Sequence, residues 1–221
     1  MTIKAVIFDL DGTLLNTIED LKESVNFALS CFGFPVLTVE QVNSFVGDGV
    51  AKLIERSIPE GLLNPKFNEC LGIFKEHYEN NMYNKTKPYD GILKMLSLLK
   101  AKGIKTAVVS NKFDLAVREL TKKYFGELID VSIGECEERG IAKKPSPDMV
   151  FEVLKELNLT KDEVLYVGDS DTDILTAKNS GIECISVSWG FREKEFLINK
   201  GAKKIIDSPS ELIDAIKKTS L

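Results

Sequence analysis

Residues Lys4 to Thr17 read KAVIFDLDGTLLNT, an apolar run that breaks into two aspartates one residue apart and then Gly-Thr. Ala5 to Phe8, closed by a turn signal, has the length and composition of a buried strand. Two carboxylates at the end of a buried strand call for a physical reason, and it lies in the rest of the chain.

Beyond Thr17 the period becomes helical. Leu21, Val25, Ala28, Leu29 and Phe32 recur at helical spacing up to Gly33 and Pro35, and Pro65 to Met82 reads as a second long helix. Shorter helices are expected over Thr38 to Phe45 and Gly49 to Ser57. Past NKTKPYDG (Asn84 to Gly91) helices and short apolar strands alternate. Ile92, Met95, Leu96 and Leu99 make a helix face, KTAVVS a strand, Leu115 to Tyr124 a helix and LIDVSI a strand. Met149 to Leu157 comes next as a helix, EVLYVGD as a strand, Ile174 to Asn179 as a helix and ECISVS as a strand. A weaker tail repeats the pattern with Phe196 to Asn199, KKIID and Leu212 to Lys217.

Alternating βα units build a parallel sheet with helices on both faces. The expected fold is α/β, a Rossmann-like parallel sheet core made of residues 1–15 and 85–221. A helical cap domain, residues 16–84, is inserted after the first strand, with hinges at Leu15 to Thr17 and Asn84 to Tyr89.

The chain has 221 residues, enough for one main core and a smaller insertion. Its 29 Lys and Arg stand against 34 Asp and Glu, a net charge of −5 without long runs of either sign, which speaks against nucleic acid as a partner. Cys31, Cys70, Cys136 and Cys184 include no C-x-x-C pair, which argues against a disulfide framework or a thiolate zinc site. They read as buried thiols in a reducing compartment. The first apolar stretch meets Asp9 too soon for a secretory segment, and no run of about eighteen apolar residues occurs. A cytoplasmic protein, monomer or homodimer, with no membrane partner is expected.

Open parallel sheets bind ligands beyond the carboxyl ends of their strands. Those ends carry Asp9 and Asp11, then Ser110 and Asn111, then Asp169 and Asp173, while Lys143 and Lys144 precede the helix near Pro147. A carboxylate such as Asp9 can attack phosphorus and form an acyl phosphate. Asp11 can protonate the leaving alkoxide and later deprotonate the hydrolytic water. So many acids accept a phosphate dianion only if their charge is offset, which Mg²⁺ does with oxygen ligands: Asp9, the backbone carbonyl of Asp11, and Asp169. Lys144, the Ser110 hydroxyl and free N–H groups near Gly12, Thr13 and Asn111 can hold the phosphoryl oxygens.

DLDGT after an apolar strand, SN after a second, KPSP, and GDSDTD after a later strand resemble, in order, the four motifs of the haloacid dehalogenase (HAD) superfamily, specifically its phosphatases. The resemblance covers nearly the whole chain, and the insertion resembles that superfamily's helical cap. It implies Asp9 as nucleophile, Asp11 as acid/base, Ser110 and Lys144 as phosphate contacts, and Asp169 with Asp173 at a magnesium site, Asp173 behind the direct ligands. Asp11 resembles the phosphatase branch rather than the haloalkanoate dehalogenases or transport ATPases. VGDGVAKLIE, SNK and WGFR resemble phosphoglycolate phosphatases and their near relatives.

Plainer readings stand beside these. A lone D-x-D-G is usually a turn. DSDTD has calcium-loop spacing, but Ile174 stands where Gly is needed and Ser180 where Glu is needed, which excludes an EF-hand. Gly47-Asp48-Gly49 lacks a dinucleotide fingerprint's third glycine. Gly49 either simply starts a helix or offers its N–H groups to a substrate anion such as a carboxylate. His77, the only histidine, reads as surface or structural, and Trp189 as packing; Arg192 is either solvated or meets the substrate's distal charge. The expected activity is Mg²⁺-dependent hydrolysis of a small-molecule phosphomonoester, 2-phosphoglycolate first, through phospho-Asp9. The alternatives are a pyrophosphatase, nucleotidase or sugar-phosphate mutase on the same site, or a non-catalytic binding protein.

Overall fold

The computed structural model describes residues 2–136 and 139–219; Met1, Glu137, Glu138, Ser220 and Leu221 of the expected core lie outside the described residues. The chain runs β1 (Ala5–Phe8), β2 (Leu15–Asn16), α1 (Ile18–Ser30), α2 (Val39–Phe45), α3 (Val50–Ser57) and α4 (Phe67–Asn81). It continues with β3 (Lys87–Pro88), α5 (Ile92–Ala101), β4 (Lys105–Phe113), α6 (Asp114–Phe125), β5 (Val131–Glu135) and α7 (Asp148–Leu157). The last elements are β6 (Val164–Gly168), α8 (Asp171–Ser180), β7 (Glu183–Val187), α9 (Lys194–Asn199), β8 (Ile205–Ile206) and α10 (Leu212–Thr219).

Two compact units result, one of Met1–Leu15 with Pro88–Leu221 and the other of Asn16–Lys87. In the first, six strands form one sheet in the order β5-β4-β1-β6-β7-β8, every adjacent pair parallel. This is the expected Rossmann-like α/β architecture. Strand β1 is central because all four of its residues are buried, as a strand covered on both faces must be. On one face Ala5, Ile7, Ala107, Val109 and Tyr166 pack against Met149, Val150 and Val153 of α7 and Ala177 of α8.

Two elements differ from expectation. Helix α8 begins at Asp171, not Ile174, because Ser170 and Asp173 form a reciprocal capping box that starts the helix earlier. Strand β4 runs on past Ser110 to Phe113, with its pairing to β5 shifted between Val109 and Phe113. Such irregularities bend a strand and re-aim its side chains.

The second unit is helical. Leu21, Val25, Ala28 and Leu29 of α1 are buried together with Leu53 and Ile54 of α3 and Cys70, Phe74 and Tyr78 of α4. The buried Asp20 carboxylate accepts from the backbone N–H of Lys85 at 3.0 Å and of Thr86 at 2.8 Å. That bond pattern ties Lys85 and Thr86 to α1, so the unit extends to Lys87. His77 stacks on Phe27 with ring centroids 4.1 Å apart and has its Nδ1 3.0 Å from the Ser24 hydroxyl, a packed structural position. All four cysteines are free thiols; Cys70 is buried, Cys136 and Cys184 are half-buried, and Cys31 is exposed, against the expectation of burial for all.

Candidate active site

The register decides which groups meet. Phe8 lies opposite Val108 of β4 and Val167 of β6, so the residues beyond all three strands share the sheet's carboxyl edge. Asp9 is held there by its own N–H, which donates to the Val167 carbonyl at 2.9 Å, and by its Oδ1, which accepts from the Leu10 N–H at 2.7 Å.

The loop after β1 folds back tightly. Gly12 N–H donates to Leu15 O at 2.9 Å and Thr13 N–H to Leu10 O at 3.3 Å. These two amides are therefore spent inside the loop, a correction to the expectation that they are free for phosphate: the short D-L-D-G-T turn needs them itself. Gly12 has another reason to be there. Its φ is +83°, and a Cβ would lie 2.3 Å from Asp169 Oδ2.

Asp169 comes directly after β6 and is buried. Its Oδ1 accepts from the Thr13 hydroxyl at 3.0 Å and its Oδ2 from the Phe191 N–H at 2.7 Å. Two residues earlier than Phe191, the Trp189 ring N–H donates to the Thr13 carbonyl at 3.0 Å. Trp189 thus anchors the first loop as well as packing, and Thr13 contributes its side chain where sequence reasoning assigns its amide. Arg192, next in the chain, places its guanidinium 6.0 Å from the Phe196 ring centroid.

Asp173 is fully buried in the first turn of α8. Its Oδ1 accepts from Lys144 Nζ at 2.8 Å and from the Tyr166 hydroxyl at 3.1 Å; its Oδ2 accepts from Ser170 N–H at 3.1 Å and Ser170 Oγ at 2.6 Å. Lys144 Nζ also lies 2.9 Å from Asp9 Oδ1. The loop that carries this lysine is clasped by the Asn111 side-chain amide, which donates to Lys144 O at 3.0 Å and accepts from Lys144 N–H at 2.8 Å. Asn111 therefore positions Lys144 through its side chain. Ser110 is buried beside it, with its Oγ accepting from Lys112 N–H at 3.3 Å.

Lys112, the lysine of SNK to which the sequence assigns no role, is buried and places Nζ 2.9 Å from Asp11 Oδ2. Tyr166 and Tyr89 are also missed by sequence reasoning. Burial, then the carboxylates of Asp169 and Asp11, hold the Tyr89 hydroxyl above the ordinary phenol range. Gly49, the remaining candidate, starts α3 in the helical unit with φ +90°, preceded by an ion pair between Asp48 and Arg56 at 2.5 Å.

The electrostatics have one theme. Asp9, Asp169 and Asp173 each offer an oxygen within 4.8 Å of one another, all buried. Burial drives the Asp9 pKa well above the usual carboxylate range, Lys144 opposing it while Asp173 and Asp169 add to it. Asp169 is pushed up to about 7 by burial and then by Asp173, with the Phe191 N–H and Thr13 hydroxyl pulling the other way. Burial alone would drive the proton off Lys144, but Asp173 and Asp9 reverse this and leave its pKa raised. Two of the three carboxylates, Asp9 and Asp173, thus share the Lys144 ammonium. An all-oxygen donor set with this surplus of negative charge fits a hard divalent cation such as Mg²⁺.

Comparison with known proteins bears on what such a site is for. The family model described as haloacid dehalogenase-like hydrolase matches residues 6–187. A phosphoglycolate phosphatase of Aquifex aeolicus is 34% identical over 86% of this chain and 86% of its own length. A crystal structure from Lactobacillus delbrueckii subsp. bulgaricus, proposed to be a phosphoglycolate phosphatase, is 38% identical with TM-score 0.92, covering 98% of this chain and 99% of the other. CbbY from Rhodobacter sphaeroides, solved in complex with phosphate, is 26% identical with TM-score 0.79 over 96% of each chain.

Proposed function

The chain belongs to the haloacid dehalogenase-like hydrolase family, and on that premise we propose that it is a Mg²⁺-dependent phosphatase whose Asp9 becomes transiently phosphorylated. The observation that carries the proposal is that two carboxylates on one strand end have separate ammonium partners: Asp9 is paired with Lys144 and Asp11 with Lys112, each at 2.9 Å.

Chemically, an Asp9 carboxylate oxygen attacks phosphorus and the bond to the substrate's alkoxide breaks, while Asp11 gives that alkoxide its proton. A water then attacks the acyl phosphate, its proton passes to Asp11, and inorganic phosphate leaves with Asp9 restored. Lys144 offsets phosphoryl charge, and Ser110 is close enough in sequence and register to share that task. Mg²⁺, held by Asp9, the Asp11 carbonyl and Asp169 with Asp173 behind them, would neutralise and orient the phosphoryl oxygens when bound.

2-Phosphoglycolate is the leading substrate, supported by the likeness to phosphoglycolate phosphatases. In this reading Arg192 is a candidate to meet the substrate's distal carboxylate. A sugar phosphate is the second reading, supported by CbbY, which is also solved with xylulose-(1,5)bisphosphate. Among the described residues no helix is long and apolar enough to cross a membrane; we place the enzyme in the cytoplasm, as monomer or homodimer.

Phosphate release from 2-phosphoglycolate, sugar phosphates, nucleotides, pyrophosphate and p-nitrophenyl phosphate, with Mg²⁺ and with EDTA, tests the proposal. Mg²⁺-dependent turnover that falls by roughly 10⁴-fold or more in Asp9→Asn is expected, with 2-phosphoglycolate ranked first. Undiminished turnover in Asp9→Asn would reject the mechanism. A higher kcat/KM on a sugar phosphate would reject the substrate alone.

A further inference from the structure

We propose that Lys112 is a positioning residue for Asp11: its buried ammonium fixes the carboxylate in the orientation from which the leaving oxygen receives its proton. This rests on the phosphatase reading above. A lysine is rarely buried unless paired, and the Lys112 side chain is only 2% exposed, with its Nζ 2.9 Å from Asp11 Oδ2.

The backbone brings it there by a specific device. Pairing between β4 and β5 is regular up to Val109 opposite Ile133 and resumes with Phe113 opposite Glu135, so the irregular stretch spans Ser110, Asn111 and Lys112. Gly134 of β5 lets the two strands close on each other at that level: a Cβ there would stand 2.5 Å from Asp114 Cα and 2.7 Å from Lys112 O. Its N–H donates to Asp114 Oδ1 at 2.9 Å, which fixes the end of β4. The Lys112 backbone is therefore clamped, and its side chain is directed at one carboxylate oxygen.

The two buried lysines have separate clients. Lys144 bridges Asp9 and Asp173, whereas Lys112 reaches Asp11. The contact at Oδ2 fixes how the Asp11 carboxyl is turned. In the first step the Asp11 carboxyl gives its proton to the alkoxide as the phosphorus–oxygen bond breaks, and in the second a water proton returns to Asp11. Lys112 holds the geometry and takes no part in the transfer.

The test uses leaving groups. Protonation matters greatly for an alkoxide and little for p-nitrophenolate, and kcat/KM reports only the steps through phosphorylation of Asp9. In Lys112→Met, kcat/KM for the alkyl phosphate that the unaltered enzyme uses best should fall by roughly 10²-fold or more, and for p-nitrophenyl phosphate by less than about 5-fold. Lys112→Arg should recover part of the alkyl activity. In an Asp11→Asn background, Lys112→Met should cost less than about 3-fold further, because a residue acting through another has nothing left to act on.

Equal losses on both substrates, or no loss, would overturn the inference; equal losses would mean that Lys112 meets the phosphoryl group or only shapes the fold. If Lys112→Met does not fold, Lys112→Gln and Lys112→Arg carry the same comparison. An unaltered protein silent on every phosphomonoester would instead reject the phosphatase reading, and the inference with it.

Discussion

In the α/β unit Asp9, Lys112, Lys144, Asp169 and Asp173 are all buried and crowded around one strand edge, where Lys144 pairs with Asp9 and Asp173 and Lys112 with Asp11. The helical unit uses the same residue types differently. Its pairs Lys22–Glu19, Lys52–Glu55 and Lys66–Glu69 lie three residues apart along helix surfaces, where such pairs contribute little. Among its described residues Asp20 is the charged group that is buried, and its partners are the backbone amides of Lys85 and Thr86. A carboxylate answered by backbone N–H groups secures the chain. Carboxylates answered by too few ammoniums make the edge at which the proposed cation and reaction are placed.

The largest effect should come from taking an ammonium out of the crowded edge. Lys144→Met leaves Asp9 and Asp173 buried beside each other, and urea unfolding should show a loss of about 3–5 kcal/mol; a loss under about 1 kcal/mol would erase the distinction between the units. Asp20→Ala should cost less, about 1–3 kcal/mol, because two amides lose a charged acceptor that water can partly replace. Hydrogen exchange should then speed up at Lys85 and Thr86 while β1 stays protected, and uniform acceleration would contradict the assignment of Asp20 to the helical unit alone.

The smallest effect is one of pH. Asp169 has its pKa pushed up to about 7 from an ordinary 3.8 by burial and by Asp173. Across that interval the folded state keeps a proton that the unfolded state has released, so this group's contribution to metal-free stability falls as pH rises. Mg²⁺ competes with that proton, and its stabilising shift in Tm should therefore be larger at about pH 8 than at about pH 5. Equal shifts at both would exclude Asp169 from the cation site.

Much of this is legible in the sequence because it is local. An apolar tetrad ending in D-L-D-G-T reads directly as a strand and its turn, and βα alternation from Ile92 onward reads as a parallel sheet. The Ser170–Asp173 capping box is also there to read, but α8 has so weak an apolar face that its periodicity starts the helix late. The pairing of Lys112 with Asp11, and the clasp of Thr13, Trp189 and Phe191 on Asp169 and its loop, join residues far apart in the chain. No periodicity encodes such contacts; they arise from sheet register and from where β4 loses its pairing. The amides of Gly12 and Thr13 escape a correct reading for a similar reason, since only the folded loop shows that it uses them itself.

The most direct measurement is to quench the enzyme with acid during turnover of its best substrate with Mg²⁺ and to map the modified peptide by mass spectrometry. A phosphoryl group on the peptide carrying Asp9, absent in Asp9→Asn and accumulating in Asp11→Asn if that variant slows hydrolysis more than transfer, is the predicted result. Turnover with that peptide unmodified at every quench time, and inversion rather than retention of configuration at phosphorus with an isotopically chiral thiophosphate ester, would show direct attack by water and contradict the role given to Asp9.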